Sequence, residues 1–317
     1  MGPIHGSKLY QERARRALPI LVRQAEARQP IYYSELAEEL GMSNPRNLNY
    51  VLGCIGETLH EEAARTGRKI PPIQCIVLNR ASGLPGEGIA WFLDKDSYSN
   101  IDPEAFKALP PQRRRAIVQA ELQQVYLFGD WREVLASIGL QPLTQDFSDV
   151  LRMAQARGGG ESPDHLALKT HVATNPGVVG LPSGTAHGET EWGLPSGDSL
   201  DVSFELADRW IAAEVKSRRS GNDDLARGLF QCVKYKSVMR AVELVEGTGR
   251  DVDVFLVVEG DFPPRLVPLR NMLGVSVIET AIPSAGAAAR LAAGAVRRTA
   301  SGRRGPIYPP TQPPARA

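Results

Sequence analysis

Three residues stand at a spacing that could perform hydrolytic chemistry: Asp201, then Glu214 thirteen positions later, with Lys216 two residues beyond it. Hard, oxygen-seeking Mg²⁺ is held by one or two carboxylates plus water and phosphate oxygens, and Asp201 and Glu214 suit that role. Phosphodiester hydrolysis needs a water made nucleophilic and a developing negative charge neutralised. A divalent ion does both, and a lysine such as Lys216 can position the water and stabilise the charge. A Glu-x-Lys pair alone is also what an ordinary solvent-facing strand carries, so the elements around it decide.

Those elements are legible from their periodicity. Pro163 opens a helix running to about Ala173, stopped by Asn175-Pro176. Residues Glu189 to Leu194 and Ser199 to Glu205 flank the turn-forming run Pro195-Ser196-Gly197-Asp198 and so predict a hairpin, followed by a strand from Trp210 to Ser217. Alternation places Leu200, Val202 and Phe204 on one face and Asp201 on the other. On the next strand Ile211, Ala213 and Val215 share a face, which leaves Glu214 and Lys216 together on the opposite side, roughly 7 Å apart along the chain. A helix from about Asp224 carries Gln231, which reads equally well as a site residue or an exposed polar one. The β-branched run Val252 to Val258 reads as a buried central strand in which Asp253 is structural, and a short strand ends at Ile278.

This order of helix, three strands, helix and strand, with Leu200-Asp201 followed by Glu214-Val215-Lys216, resembles the PD-(D/E)xK nuclease superfamily and its restriction-endonuclease-like fold. The runs Ser196 to Val202 and Arg227 to Lys236 are similar to a bacterial branch that has a glutamine in the helix after the lysine. The resemblance covers roughly Glu161 to Ile278. It implies Asp201 and Glu214 as metal ligands, Lys216 as the catalytic lysine, Gln231 as an auxiliary catalytic residue, and Glu161 as a further metal-binding acid from the first helix. Asp164 also qualifies for that last role, and His165 beside it either orients a carboxylate or packs at a helix end. The implied cofactor is Mg²⁺, with Mn²⁺ able to substitute. Leu200 stands where the superfamily often has proline, which leaves the acid itself unaffected.

The N-terminal part predicts a winged helix-turn-helix domain over residues 1–100. Ser34 can cap a helix through Leu40, Gly41 allows the left-handed turn, and Asn44-Pro45 opens a second helix bearing Leu48, Val51, Leu52, Ile55 and Leu59. The run Ile73 to Leu78, the turn Gly83 to Gly86 and the run Ile89 to Leu93 would form the wing. Arg46, Asn47 and Asn49 near the start of the second helix would then face DNA, reading base edges or holding phosphate. A helical connector is expected over 101–157 with the basic cluster Arg113 to Arg115. The nuclease domain follows over 158–282, beyond the flexible Gly158-Gly159-Gly160, and an Ala/Gly/Pro/Arg-rich tail over 283–317 is too poor in large apolar residues to pack.

Composition sets the outer limits. The formal net charge is only +1, so phosphate attraction must come from local clusters such as Arg218 and Arg219, with Lys234 and Lys236 nearby. Cys54, Cys75 and Cys232 are odd in number and set among apolar neighbours, which argues against disulfides or a zinc knuckle and for a reducing cytoplasm. No run approaches a membrane span or a signal-peptide core. The expectation is a two-domain α/β DNA endonuclease for restriction, phage defence or repair. The alternative is a DNA-binding or assembly protein that keeps the nuclease fold as scaffold. Double-strand cleavage commonly uses two active sites, so a homodimer stays open, as does an activating partner protein.

Overall fold

The computed structural model describes residues 3–93, 102–144, 147–149 and 162–282. Its first element is α1, Leu9–Glu26, whose Ala14, Ala17, Leu18, Leu21 and Ala25 recur at helical spacing and are buried. Strand β1, Ile31–Tyr32, leads into α2, Tyr33–Glu39. Gly41 takes the left-handed conformation at φ 65°, as expected for a residue that stops a helix. The Asn44 side chain accepts the Arg46 N–H at 3.0 Å, and Pro45–Asn47 forms a 3₁₀ turn feeding α3, Leu48–Thr66. Leu48, Val51, Leu52, Ile55 and Leu59 all face the core. The second helix follows its Asn44-Pro45 signal, but Ser34 does not cap the first: α2 begins at Tyr33 with Tyr32 as its N-cap, where the Tyr32 N–H donates to Glu35, so Ser34 falls inside the helix.

The expected wing does not form. Ile73–Ile76 winds into a 3₁₀ turn, only Val77–Leu78 remains as strand β2, and it pairs in parallel with β1, Ile31 opposite Val77 and Tyr32 opposite Leu78. The expected return strand is also 3₁₀, over Glu87–Phe92. The physical reason is burial on all sides: Ile73, Cys75, Ile76 and Val77 are each fully enclosed. A two-stranded ribbon needs one face in water and so needs alternation, which this run lacks. Packing against α1 and the connector takes these residues instead.

Among the described residues the connector contains α4, Pro103–Ala108, α5, Pro111–Leu127, and α6, Trp131–Ser137. Pro110 and Pro111 break the first junction, because residues before proline avoid the helical region, and Gly129 marks the second. Ile117, Val118, Val125, Trp131 and Leu135 join the same core as α1 and α3. The Trp131 indole N–H donates to the Val125 carbonyl at 3.0 Å.

The C-terminal half is α/β. Helix α7, Pro163–Thr174, is capped by the Ser162 hydroxyl, which accepts the His165 N–H. A five-stranded mixed sheet follows in the order β3 (Glu189–Gly193), β4 (Ser199–Glu205), β5 (Arg209–Lys216), β6 (Asp251–Glu259) and β7 (Ser276–Thr280). The first three strands pair antiparallel and the last three in parallel. The 25-residue helix α8, Asn222–Glu246, crosses from β5 to β6 and buries Leu225, Leu229, Cys232 and Met239 against Trp210, Ala212, Val254 and Leu256. Helix α7 lies against β3, β4 and β5. A short helix α9, Val267–Leu273, precedes β7.

Residues 1–280 form one compact unit, and its two halves meet through buried polar groups. The Gln24 amide of α1 donates to the Asn271 carbonyl of α9 at 2.9 Å, and the Asn271 amide donates to Glu39 of α2 at 2.6 Å. Glu39 also pairs with Arg23 at 2.7 Å, both side chains being more than nine-tenths enclosed. The expectations for Gly158 to Gly160, Glu161 and the tail fall outside the described residues.

Candidate metal and phosphodiester site

Where β4 and β5 lie side by side, the paired register runs from Glu205 opposite Trp210 to Val202 opposite Ala213. One step further, the Val215 N–H donates to the Asp201 carboxylate at 2.8 Å. A side-chain oxygen thus continues the strand ladder and anchors Asp201 to the strand that carries the other two site residues. Its second oxygen lies 3.5 Å from His165 Nε2 on α7.

Glu214 and Lys216 share the β5 face turned toward α8, as alternation requires, but they are not solvated: they are 3% and 7% exposed. The Lys216 ammonium donates to Glu214 at 2.8 Å and to the Gln231 carbonyl oxygen at 3.4 Å, and lies 3.5 Å from Asp224. The Gln231 amide in turn donates to the Tyr235 hydroxyl at 3.1 Å. This approach depends on Gly228. A Cβ there would stand 3.0 Å from Lys216 Cε and 2.7 Å from Leu256 Cδ1, so a bare helix backbone is what lets the lysine stem pass.

Electrostatics divide the two acids. Burial, then the neighbouring negative charge of Asp201, pushes Glu214 up to about 7 against the pull of Lys216. Burial works the same way on Asp201, yet the His165 contact and the Val215 N–H hold its carboxyl below the ordinary value. The Asp201 contact raises His165. Burial opposes the Lys216 charge, but Glu214 and Asp224 outweigh it and hold the ammonium above its usual range. Two acids share this corner of the fold, with the enclosed Lys216 ammonium on Glu214 and the His165 ring beside Asp201. Mg²⁺ needs only one or two carboxylates, so Asp201 and Glu214 are the residues that could hold it. Among the described residues no group of three or more His, Cys, Asp or Glu is assembled as a metal cage.

The structure thus brings Asp201, Glu214, Lys216 and Gln231 together. Glu161 lies outside the described residues. Asp164 turns toward the loop after β5, pairing with Arg219 at 2.5 Å and Arg218 at 3.7 Å, so His165 is the α7 side chain that reaches Asp201. Arg218 and Arg219 are exposed at the rim. Lys234 pairs with Asp198 at 2.7 Å and Lys236 with Asp253 at 3.4 Å, which spends part of the expected phosphate-attracting charge. Arg46, Asn47 and Asn49 are exposed around the start of α3. The cysteines are enclosed, and burial raises the thiols of Cys75 and Cys232 well above their ordinary value.

Sequence reasoning passed over Gly228, Asp224 and Tyr235. A glycine inside an otherwise apolar helix face was the available signal for the first; the others carry none without the fold. Among the described residues no helix is long and apolar enough to cross a membrane. Comparison of the chain with models of protein families, with curated proteins and with solved structures finds no match.

Proposed function

We propose that this chain is a Mg²⁺-dependent DNA endonuclease of the PD-(D/E)xK type, hydrolysing phosphodiester bonds in restriction, phage defence or repair. The observation that carries the reading is the enclosure of Glu214 and Lys216 at nine-tenths or more beside Asp201. Enclosing two acids and an ammonium costs several kcal/mol per ion unless each is paired, so such clusters concentrate at functional sites. A merely amphipathic strand would leave them in water.

Asp201 and Glu214 would hold the ion. When bound, the ion supplies Lewis acidity and lowers the pKa of a coordinated water. The chain's own residues do the rest. The Val215 N–H and His165 fix the Asp201 carboxylate, so it need not reorganise during reaction. Gln231, itself bonded to Tyr235, and Asp224 hold the Lys216 ammonium where it can orient a water and stabilise charge on phosphate oxygens. Arg218 and Arg219 would meet the DNA backbone at the rim, and Arg46, Asn47 and Asn49 would contact DNA from α3.

The test is incubation of plasmid with Mg²⁺ and wild-type, Asp201→Ala or Lys216→Ala protein. Cleavage by wild type alone supports the reading. Equal cleavage by all three overturns it. Tight duplex binding without cleavage, and without Mn²⁺ heat that depends on Asp201 and Glu214, would assign the chain to the scaffold alternative.

A further inference from the structure

The N-terminal half contains a cavity of about 830 Å³, of whose lining residues the nuclease reading uses Asn49 alone. Tyr33 of α2, Asn49 and Glu57 of α3, and Gln74, Trp91 and Phe92 of the failed wing line it. Three aromatic rings thus surround two amides and a carboxylate. Asn49 and Glu57 are exposed, and the Trp91 side chain is 66% exposed at the mouth. The Tyr33 hydroxyl oxygen accepts the Gly86 N–H at 3.1 Å, which leaves its own proton free to donate.

Gln74 is the anomaly. It is 4% exposed, yet neither its amide nitrogen nor its carbonyl oxygen has a partner among the described residues. An unsatisfied buried amide costs about 1–3 kcal/mol for each such group, and an apolar residue of similar volume would avoid that cost. The fold also makes room for it: a Cβ on Gly56 would stand 2.1 Å from Gln74 Nε2 and 2.5 Å from the Phe92 ring. Amide and ring lie side by side on bare helix backbone, and both line the cavity.

We propose that this cavity binds a nucleobase that carries an amino group next to a ring acceptor, as adenine and cytosine do. An amide offers one donor and one acceptor in a plane, the complement of that edge. Trp91 and Phe92 supply faces for the ring to stack on, and Glu57 is a further acceptor for the amino group. The base can come from a free nucleoside or be presented, unpaired, by a nucleic acid that the α3 end holds.

The experiment uses the full chain in EDTA, so cleavage plays no part and the nuclease reading stands or falls separately. Fluorescence anisotropy compares a labelled duplex carrying one bulged adenine with the fully paired duplex, with adenosine as competitor. Expected is about tenfold tighter binding of the bulged duplex, and loss of that preference in Gln74→Leu and Trp91→Ala. The Gln74→Leu protein should melt at or above the wild-type temperature, because it removes two unsatisfied atoms; a residue serving only the fold would lower it. If adenosine competes, the pocket takes the base alone; if the preference persists without competition, the base arrives on a strand. Equal affinity for both duplexes together with no adenosine binding, or a preference untouched by Gln74→Leu, overturns the proposal.

Discussion

Replacing Gly228 by alanine separates the geometry of the site from the general behaviour of helices. In an exposed helix interior the exchange stabilises by about 1 kcal/mol, because glycine loses more backbone entropy on folding. At Gly228 the new methyl would stand 2.7 Å from Leu256 Cδ1 and 3.0 Å from Lys216 Cε. Leu256 is fully enclosed and the lysine stem is pinned by Glu214, so neither can yield without repacking. Overpacking of this kind costs about 1–3 kcal/mol, which outweighs the helical gain. Gly53 in α3 is the internal control, since nothing lies within 4 Å of a Cβ there. The two alanine variants should therefore diverge by about 2 kcal/mol in urea denaturation, Gly53→Ala above wild type and Gly228→Ala below it. If the chain cleaves DNA, Gly228→Ala should also slow cleavage by about 10²-fold, the cost of moving a catalytic group by about 1 Å. A Gly228→Ala protein that gains stability like Gly53→Ala and keeps its rate would mean that Lys216 does not pass under α8 there.

Three further outcomes follow from other parts of the molecule. Glu39→Ala removes the carboxylate that pairs with the enclosed Arg23 and accepts the Asn271 amide, so it should cost about 3 kcal/mol in urea denaturation, against about 0–1 for Glu26→Ala, whose Arg132 partner is exposed; equal losses would refute the interface described. The Arg250 guanidinium, then the Thr248 hydroxyl, holds Glu243 below its ordinary value. Its contribution is therefore present above the usual carboxylate range and lost as pH falls through the depressed value, so the melting gap between wild type and Glu243→Gln should close as pH falls from the usual carboxylate range through that depressed value. A gap independent of pH would count against that pairing. Burial raises Cys54 to about 11 and the other two thiols in the same direction, so a thiol reagent should label none of the three in native protein and all three in denaturant.

How far the sequence carries depends on whether a local pattern or a distant contact decides. The β4 alternation and the β-branched β6 run are each enforced by the layer that covers them, so the order of strands and the convergence of Asp201, Glu214 and Lys216 were readable. Gly41 and the Asn44-Pro45 cap were readable because backbone conformation is chosen at those residues alone. The wing was misread because Ile73 to Val77 looks β-prone in isolation, while the enclosure of both sides appears only when α1 and α5 pack on it. Burial of the Glu214–Lys216 pair was equally invisible, since it depends on how closely Gly228 lets α8 approach. His165 could not be chosen over its neighbours, because a helix entry shows several side chains and only the fold selects one.

The contact of Gln24 and Glu39 with Asn271, Arg23 pairing with Glu39, has a consequence for the proposed cutting reaction. Directional hydrogen bonds inside a closed interface tolerate little sliding, so α1 and α2 are bolted to α9 rather than leashed to it. If the chain cuts DNA as proposed, an enzyme assembled in this way would measure along its substrate like a caliper. Breaks would fall at one constant offset from the sequence or lesion it grips, whereas a nuclease hung from a loose tether scatters them over a range.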